Sequence, residues 1–189
     1  GYSADDFVIV KLARLFELKG HEFVLDAAAA LSRSHPRARF LFVGDGILRE
    51  ALEESARKLG IADRVKFAGL VPAADVPGYL AAADLAVHAS LREGLPRVVP
   101  QALLTGTPVV AFDLDGAPEI IRHEETGLLV PPRDTAALAG ALARMMDDPE
   151  FAASTAAAGR DLAASLFSVE KMVNAIDAVY SELANMKKR

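Results

Sequence analysis

Residues 93–119, EGLPRVVPQALLTGTPVVAFDLDGAPE, constrain the fold of this chain more than any other stretch. Gly94 and Pro96 make a tight turn whose backbone N–H groups can face outward, and RVVPQALLTG then reads as a short helix that Gly106 stops. A proline is tolerated only in or near the first turn of a helix, so Pro100 sets the helix start at Pro96 or Arg97. The positive end of that helix then lies behind the turn of Glu93, Gly94 and Leu95, and such an end attracts phosphate. Gln101 sits one turn in and leans back toward the loop that holds Glu93, so two polar side chains eight positions apart flank one anion site. After Thr107 and Pro108, the apolar run at 109–112 is a buried strand. Asp113, Gly116 and Glu119 follow where that strand gives way to the next helix, at the carboxyl edge where open parallel sheets bind ligands.

The rest of the chain alternates between the two periodicities. Further strands are expected at 7–11, 38–43, 64–68, 84–88 and 127–130. Helices are expected at 21–34, 47–59 and 75–83, the first of them burying Phe23, Val24, Ala27, Ala28 and Leu31. Asp134 caps a helix through Met146 with Leu138, Leu142 and Met145 on one face, and Asp148 with Pro149 caps another that runs to Leu166. A third begins at Ser168, with Val169, Met172, Val173, Ile176, Tyr180 and Leu183 turned inward. The alternation implies an α/β fold, a doubly wound parallel sheet of about six strands flanked by helices.

With 189 residues and 52% hydrophobic content the chain buries one good core, so a single domain over 1–189 is expected. It opens on Gly1 and Tyr2 rather than methionine, and residues 1–5 are read as the remnant of a linker or tag on a fragment. A net charge of −5, with 21 basic against 26 acidic residues and no basic run in the body, argues against nucleic acid or a membrane surface as partner. Lys187, Lys188 and Arg189 read as a solvated helix end. The absence of cysteine removes disulfides and thiolate metal sites and fits a reducing cytoplasm. No apolar run is long enough for a transmembrane segment, and there is no signal peptide.

Several polar residues compete for a role. From spacing alone, Arg14 and Lys19 are equally two solvated cations or an Arg fork and a Lys point charge suited to a diphosphate. Gly44, Asp45 and Gly46 form a tight turn between strand and helix, short of a full dinucleotide fingerprint, and Asp45 can simply cap the helix that follows. His88, at a strand end, reads as a structural histidine before a catalytic base. Arg92 and Arg97 fit phosphate contact and plain surface placement equally. Asp113 and Asp115 would share one face of an extended segment, and that geometry could hold a divalent ion.

The pattern EGLPxVxxQALxxGxPVVAxDxxGxPEII, with RLxxxKG at residues 14–20, resembles the donor-site signature of the family 4, or group 1, glycosyltransferases. The resemblance runs from Lys11 to Asp134 through several motifs in order. It implies the two-domain GT-B fold, of which this chain would be the Rossmann-like, C-terminal, donor-binding lobe, with the N-terminal acceptor lobe absent. It implies a nucleoside-diphosphate sugar as donor, sugar transfer with retention, no metal and no other cofactor. By residue, it implies Arg14 and Lys19 on the diphosphate, Glu93 on the sugar and Gln101 on the ribose. Gly44, Asp45, Gly46, Leu70, Gly94, Leu95 and Pro96 would approach the donor. The family pattern has glutamate at both ends of the eight-residue step; here the second is Gln101. The expected location is the cytoplasm, with any membrane association made through the missing lobe. Nothing in the residues names the base, the sugar or the acceptor. The alternative is a non-catalytic Rossmann- or flavodoxin-like module that binds a nucleotide or a protein.

Overall fold

Six short apolar runs become the six parallel strands of one sheet: β1 (Phe7–Leu12), β2 (Ala38–Val43), β3 (Val65–Gly69), β4 (Leu85–His88), β5 (Val109–Phe112) and β6 (Leu128–Val130). The structure, a computed structural model, describes residues 2–186; the basic end at 187–189 lies outside the described residues. Strand order is β3-β2-β1-β4-β5-β6, so the direction of winding reverses between β1 and β4. That reversal opens a crevice above the carboxyl ends of the two central strands.

Alternate side chains divide between two apolar layers. Ile9, Phe40, Phe42, Val87, Val110 and Phe112 meet α1 (His21–Leu31), α2 (Arg49–Lys58) and α5 (Thr135–Asp147). Val8, Val10, Leu41, Ala86 and Val109 meet α3 (Val76–Ala81), α4 (Val98–Leu104) and α6 (Pro149–Leu166). Asp134 and Asp148 cap α5 and α6 as expected, accepting from the N–H groups of Ala137 at 2.8 Å and Phe151 at 2.9 Å. β3 is the sheet edge, so Val65 and Phe67 are half-buried rather than enclosed.

Four expectations need correction. Helix α1 stops at Leu31, three residues before Ser34, because the serines and Pro36 beyond it favour turns. The helix expected at 75–83 splits into a 3-10 turn (Ala73–Asp75) and α3, whose first turn takes Pro77. No α-helix follows β5: Asp115 and Glu124 adopt left-handed φ of 52° and 65°, and the connection to β6 is a run of turns. The last helix, α7 (Val169–Met186), forms at the expected place, yet none of its residues is buried. Its apolar side chains are exposed, from 48% at Ile176 to 74% at Val169. An amphipathic stripe guarantees a face, and on this chain both sides of the sheet are already covered by α1 to α6. No helix among the described residues is long and apolar enough to cross a membrane.

Candidate functional site

Two loops build the crevice walls, one after each central strand. On the β1 side, residues 13–20 carry Arg14 and Lys19. This loop is held by its neighbour: the Ala13 N–H donates to Val43 O at 3.0 Å, Leu15 N–H to Asp45 O at 3.0 Å and Leu48 N–H to Leu15 O at 3.1 Å. Gly44 and Gly46 permit that approach. A Cβ on Gly44 would stand 2.1 Å from Ala13 O, and one on Gly46 2.4 Å from Leu15 O, with φ of 136° and 159°. Asp45 does not cap α2, whose N-cap Leu48 has no side-chain bond; its Oδ1 accepts from the Gly46 N–H at 2.8 Å instead. The Arg14 guanidinium lies over the Phe16 ring, 5.1 Å from its centroid.

On the β4 side, residues 89–97 lead into α4. Leu91 N–H donates to Leu18 O at 2.7 Å, which ties this wall to the first. Asp115 Oδ2 accepts the Glu93 N–H at 2.6 Å, so this carboxylate fixes the backbone of the loop rather than facing Asp113 across an extended segment. Gly94 packs its carbonyl over Gly116, where a Cβ would stand only 2.3 Å away. Lys19 Nζ and Glu93 Oε1 then meet at 2.5 Å across the crevice, at side-chain exposures of 18% and 27%. Helix α4 begins one residue after Arg97, and Pro100 sits in its first turn.

The crevice is a cleft of about 550 Å³. It gathers six of the expected residues: Arg14, Lys19, Glu93, Leu95, Pro96 and Gln101. Gly44, Asp45, Gly46 and Gly94 support its walls without lining it, and Leu70, 81% exposed, lies outside. Of the two undecided arginines, Arg97 lines the cleft and Arg92 does not. Leu12, Ala13, Ala73, Val76, His88 and Val98 complete the lining and were not expected in it; topology rather than motif brings Ala73, Val76 and His88 there. His88 is buried, and that burial, reinforced by the positive charge of Lys11 and Lys19, pushes its pKa down to about 3. A neutral imidazole of such low proton affinity is a poor general base. Among the described residues no group of three or more His, Asp or Glu side chains is arranged to hold a metal ion.

These loops lie inside the region that matches the family model for "Glycosyl transferases group 1", residues 2–162. The alpha-D-kanosaminyltransferase of Streptomyces kanamyceticus is 31% identical over 183 residues, which make up 96% of this chain and 47% of that protein. The crystal structure of HepE from Anabaena in complex with UDP superposes with a TM-score of 0.89 at 31% identity, covering 95% of this chain and 50% of the other. The C-terminal domain of a group 1 family glycosyltransferase from Francisella tularensis shares the fold, with a TM-score of 0.80 at 24% identity, covering 86% of this chain and 87% of that one. The chain spans about half the length of the curated relatives it matches. With the match running unbroken through both cleft walls and on through α5 into α6, this chain belongs to the group 1 glycosyltransferases.

Proposed function

We propose that this chain is the donor-binding lobe of a retaining glycosyltransferase that moves a sugar from a nucleoside-diphosphate sugar to an acceptor held by a second lobe. The observation that carries this reading is the convergence of Arg14, Lys19 and Glu93 on one cleft at the switch point of the sheet. Two cations and one carboxylate there match a ligand with an anionic middle and a hydroxyl-rich end. A non-catalytic module would leave that convergence without a purpose.

In the roles proposed, Arg14 presents a planar fork and Lys19 a point charge to the diphosphate, whose negative charge grows as the sugar departs. Lys19 pairs with Glu93. An arriving diphosphate competes for that ammonium, and Glu93 is then free to accept from sugar hydroxyls. Gln101, at the mouth of the cleft, donates to one ribose hydroxyl and accepts from the other. His88 stays neutral in the floor and offers no base, so any base comes from substrate or from the second lobe. The bare apolar stripe of α7 is proposed to seat against that lobe.

Calorimetric titration with UDP-, GDP- and ADP-sugars tests the reading. At least one should bind, and Arg14→Ala with Lys19→Ala should weaken it by about 3 kcal/mol, the scale of two charge-assisted contacts. Flat titrations across the panel, or an unchanged affinity in the double variant, would return both cations to the solvated surface.

A further inference from the structure

Behind the β1 wall of the cleft the protein buries polar groups that find no partner among the described residues: Lys11 Nζ and both ring nitrogens of His21. Lys11 is 1% exposed and stands opposite Phe42 in the pairing of β1 with β2. It shares the sheet face of Ile9, the face that α1 covers, where His21 sets its ring edge-on to Phe42 with centroids 5.3 Å apart. Two residues further on, the chain leaves the strand as the loop that carries Arg14 and Lys19.

The charged groups that face Lys11 come from three elements. Glu22 approaches from α1, Lys19 from the loop of the first wall and Glu93 from the opposite wall. Of the nearby histidines, His21 on α1 and His88 on β4 are both neutral at pH 7. An unpaired ammonium in such a place costs several kcal/mol, so burial is the first cause acting on Lys11. It brings the amine down to about 7, with Glu22 and Glu93 opposing the fall and Lys19 adding to it. The free protein therefore holds a neutral and a charged form of Lys11 in comparable amounts near neutral pH.

We propose that Lys11 is a positioning residue of the donor site, an amine behind the cleft wall that gains a proton when a diphosphate enters. It does not touch the ligand. The inference rests on the donor reading above, because the diphosphate supplies the new charge. When Arg14 and Lys19 turn to the phosphates, negative charge is added within reach of Lys11 and its charged form becomes the favoured one. The proton taken up then adds attraction that a permanently charged side chain could provide only at a constant cost in stability. By linkage, donor affinity falls as pH rises through neutrality, since the proton must be found from a thinner supply.

The test is calorimetry with whichever of UDP-glucose, GDP-mannose and ADP-glucose binds best, at pH 7 in two buffers of different ionisation enthalpy. The phosphodiesters of a nucleotide sugar do not titrate in this range, so any proton uptake belongs to the protein. The wild type should take up about half a proton per donor at pH 7, given an amine poised at about 7. Its affinity should fall severalfold between pH 7 and pH 8.5. Lys11→Met should bind with no uptake and a flat profile. A ¹³C resonance from the Lys11 Cε of the wild type gives the second readout, with a midpoint near neutrality that moves upward with ligand. Donor binding without uptake, equal uptake in Lys11→Met, or a Cε that titrates as an ordinary lysine would overturn the inference and leave the donor reading standing. Failure of all three nucleotide sugars to bind at any pH would overturn both.

Discussion

Two regions of this molecule break the usual rule of burial in opposite senses. Behind the cleft, Lys11 and His21 are enclosed with their polar atoms unpaired among the described residues; along α7, Met172, Ile176, Tyr180 and Leu183 are apolar and in the open. The first departure is a cost that the finished fold carries within its own core, and costs of that kind collect where a protein works. The second costs the fold nothing yet. Its neighbour α6 makes the contrast plain, being another helix of 18 residues. Helix α6 buries small residues, Ala152, Thr155, Ala156, Gly159 and Ala163, and comes so close to α4 that a Cβ on Gly159 would stand 2.6 Å from Leu103 Cδ2. Helix α7 carries large side chains and has no such neighbour, which supports a partner surface beyond this sheet.

Acid separates the two regions clearly. Burial lowers His21 to about 2 and His88 to about 3, against an ordinary value of 6.5, so each binds its proton in the unfolded chain well before the folded one. Their contribution is whole above 6.5 and is lost as pH falls from there toward 2 to 3. From pH 6.5 to pH 5, urea denaturation should show a loss of about 3 kcal/mol from the two together. Replacing His21 with Phe should remove roughly half of that loss, while changes on α7 should leave it untouched. Stability that stayed level to pH 5 would mean that these rings are not enclosed.

Lys11→Met examines the same cost in a higher pH window, with the same sign. The amine is lowered to about 7 from 10.5, so the unfolded chain binds more protons between those values and stability climbs with pH through that window. Removing the amine should raise stability at pH 7 by about 4 kcal/mol, with the gain shrinking toward nothing as pH approaches 10.5. Stability measured at several pH values in wild type and variant decides it. A variant less stable than wild type at pH 7 would show that Lys11 has a partner in solution.

The same contrast separates what could be read from the sequence and what could not. The strands at 38–43 and 109–112 were legible to the residue, because short β-branched and aromatic runs between turn residues admit little else. The cleft was legible wherever one motif carried it, as with Arg14, Lys19, Glu93 and Gln101. Ala73, Val76 and His88 reach the cleft only through strand order, which no local pattern records. Asp115, for which no metal was expected, takes a role that no local pattern records: its left-handed φ turns the carboxylate onto the Glu93 N–H. Lys11 did offer a signal, a lone cation inside FVIVKL, at a position where a parallel strand is enclosed on both faces. The inward face expected of α7 failed for a different reason: periodicity gives a stripe its direction around the helix but not the surface that meets it.

The smallest expected effect is the one that examines that stripe directly. Take Val173→Lys together with Ile176→Lys, two changes that would ruin a helix face packed on a core, where each aliphatic side chain contributes roughly 2 kcal/mol by burial. On α7 both positions are about half exposed, at 52% and 48%, and nothing on the helix is buried. What is left is intrinsic propensity, in which lysine is better than a β-branched residue by a few tenths of a kcal/mol. In this chain the pair should therefore shift the unfolding free energy measured in urea by less than about 0.5 kcal/mol in either direction. In a chain extended to the full length of its relatives, the same pair should cost several kcal/mol if α7 seats on the second lobe. A large loss in the present chain would show that α7 folds back onto this domain in solution, and the contrast with the unpaired groups behind the cleft would then collapse. A negligible loss in both chains would keep the contrast but remove the second lobe as the cover for α7.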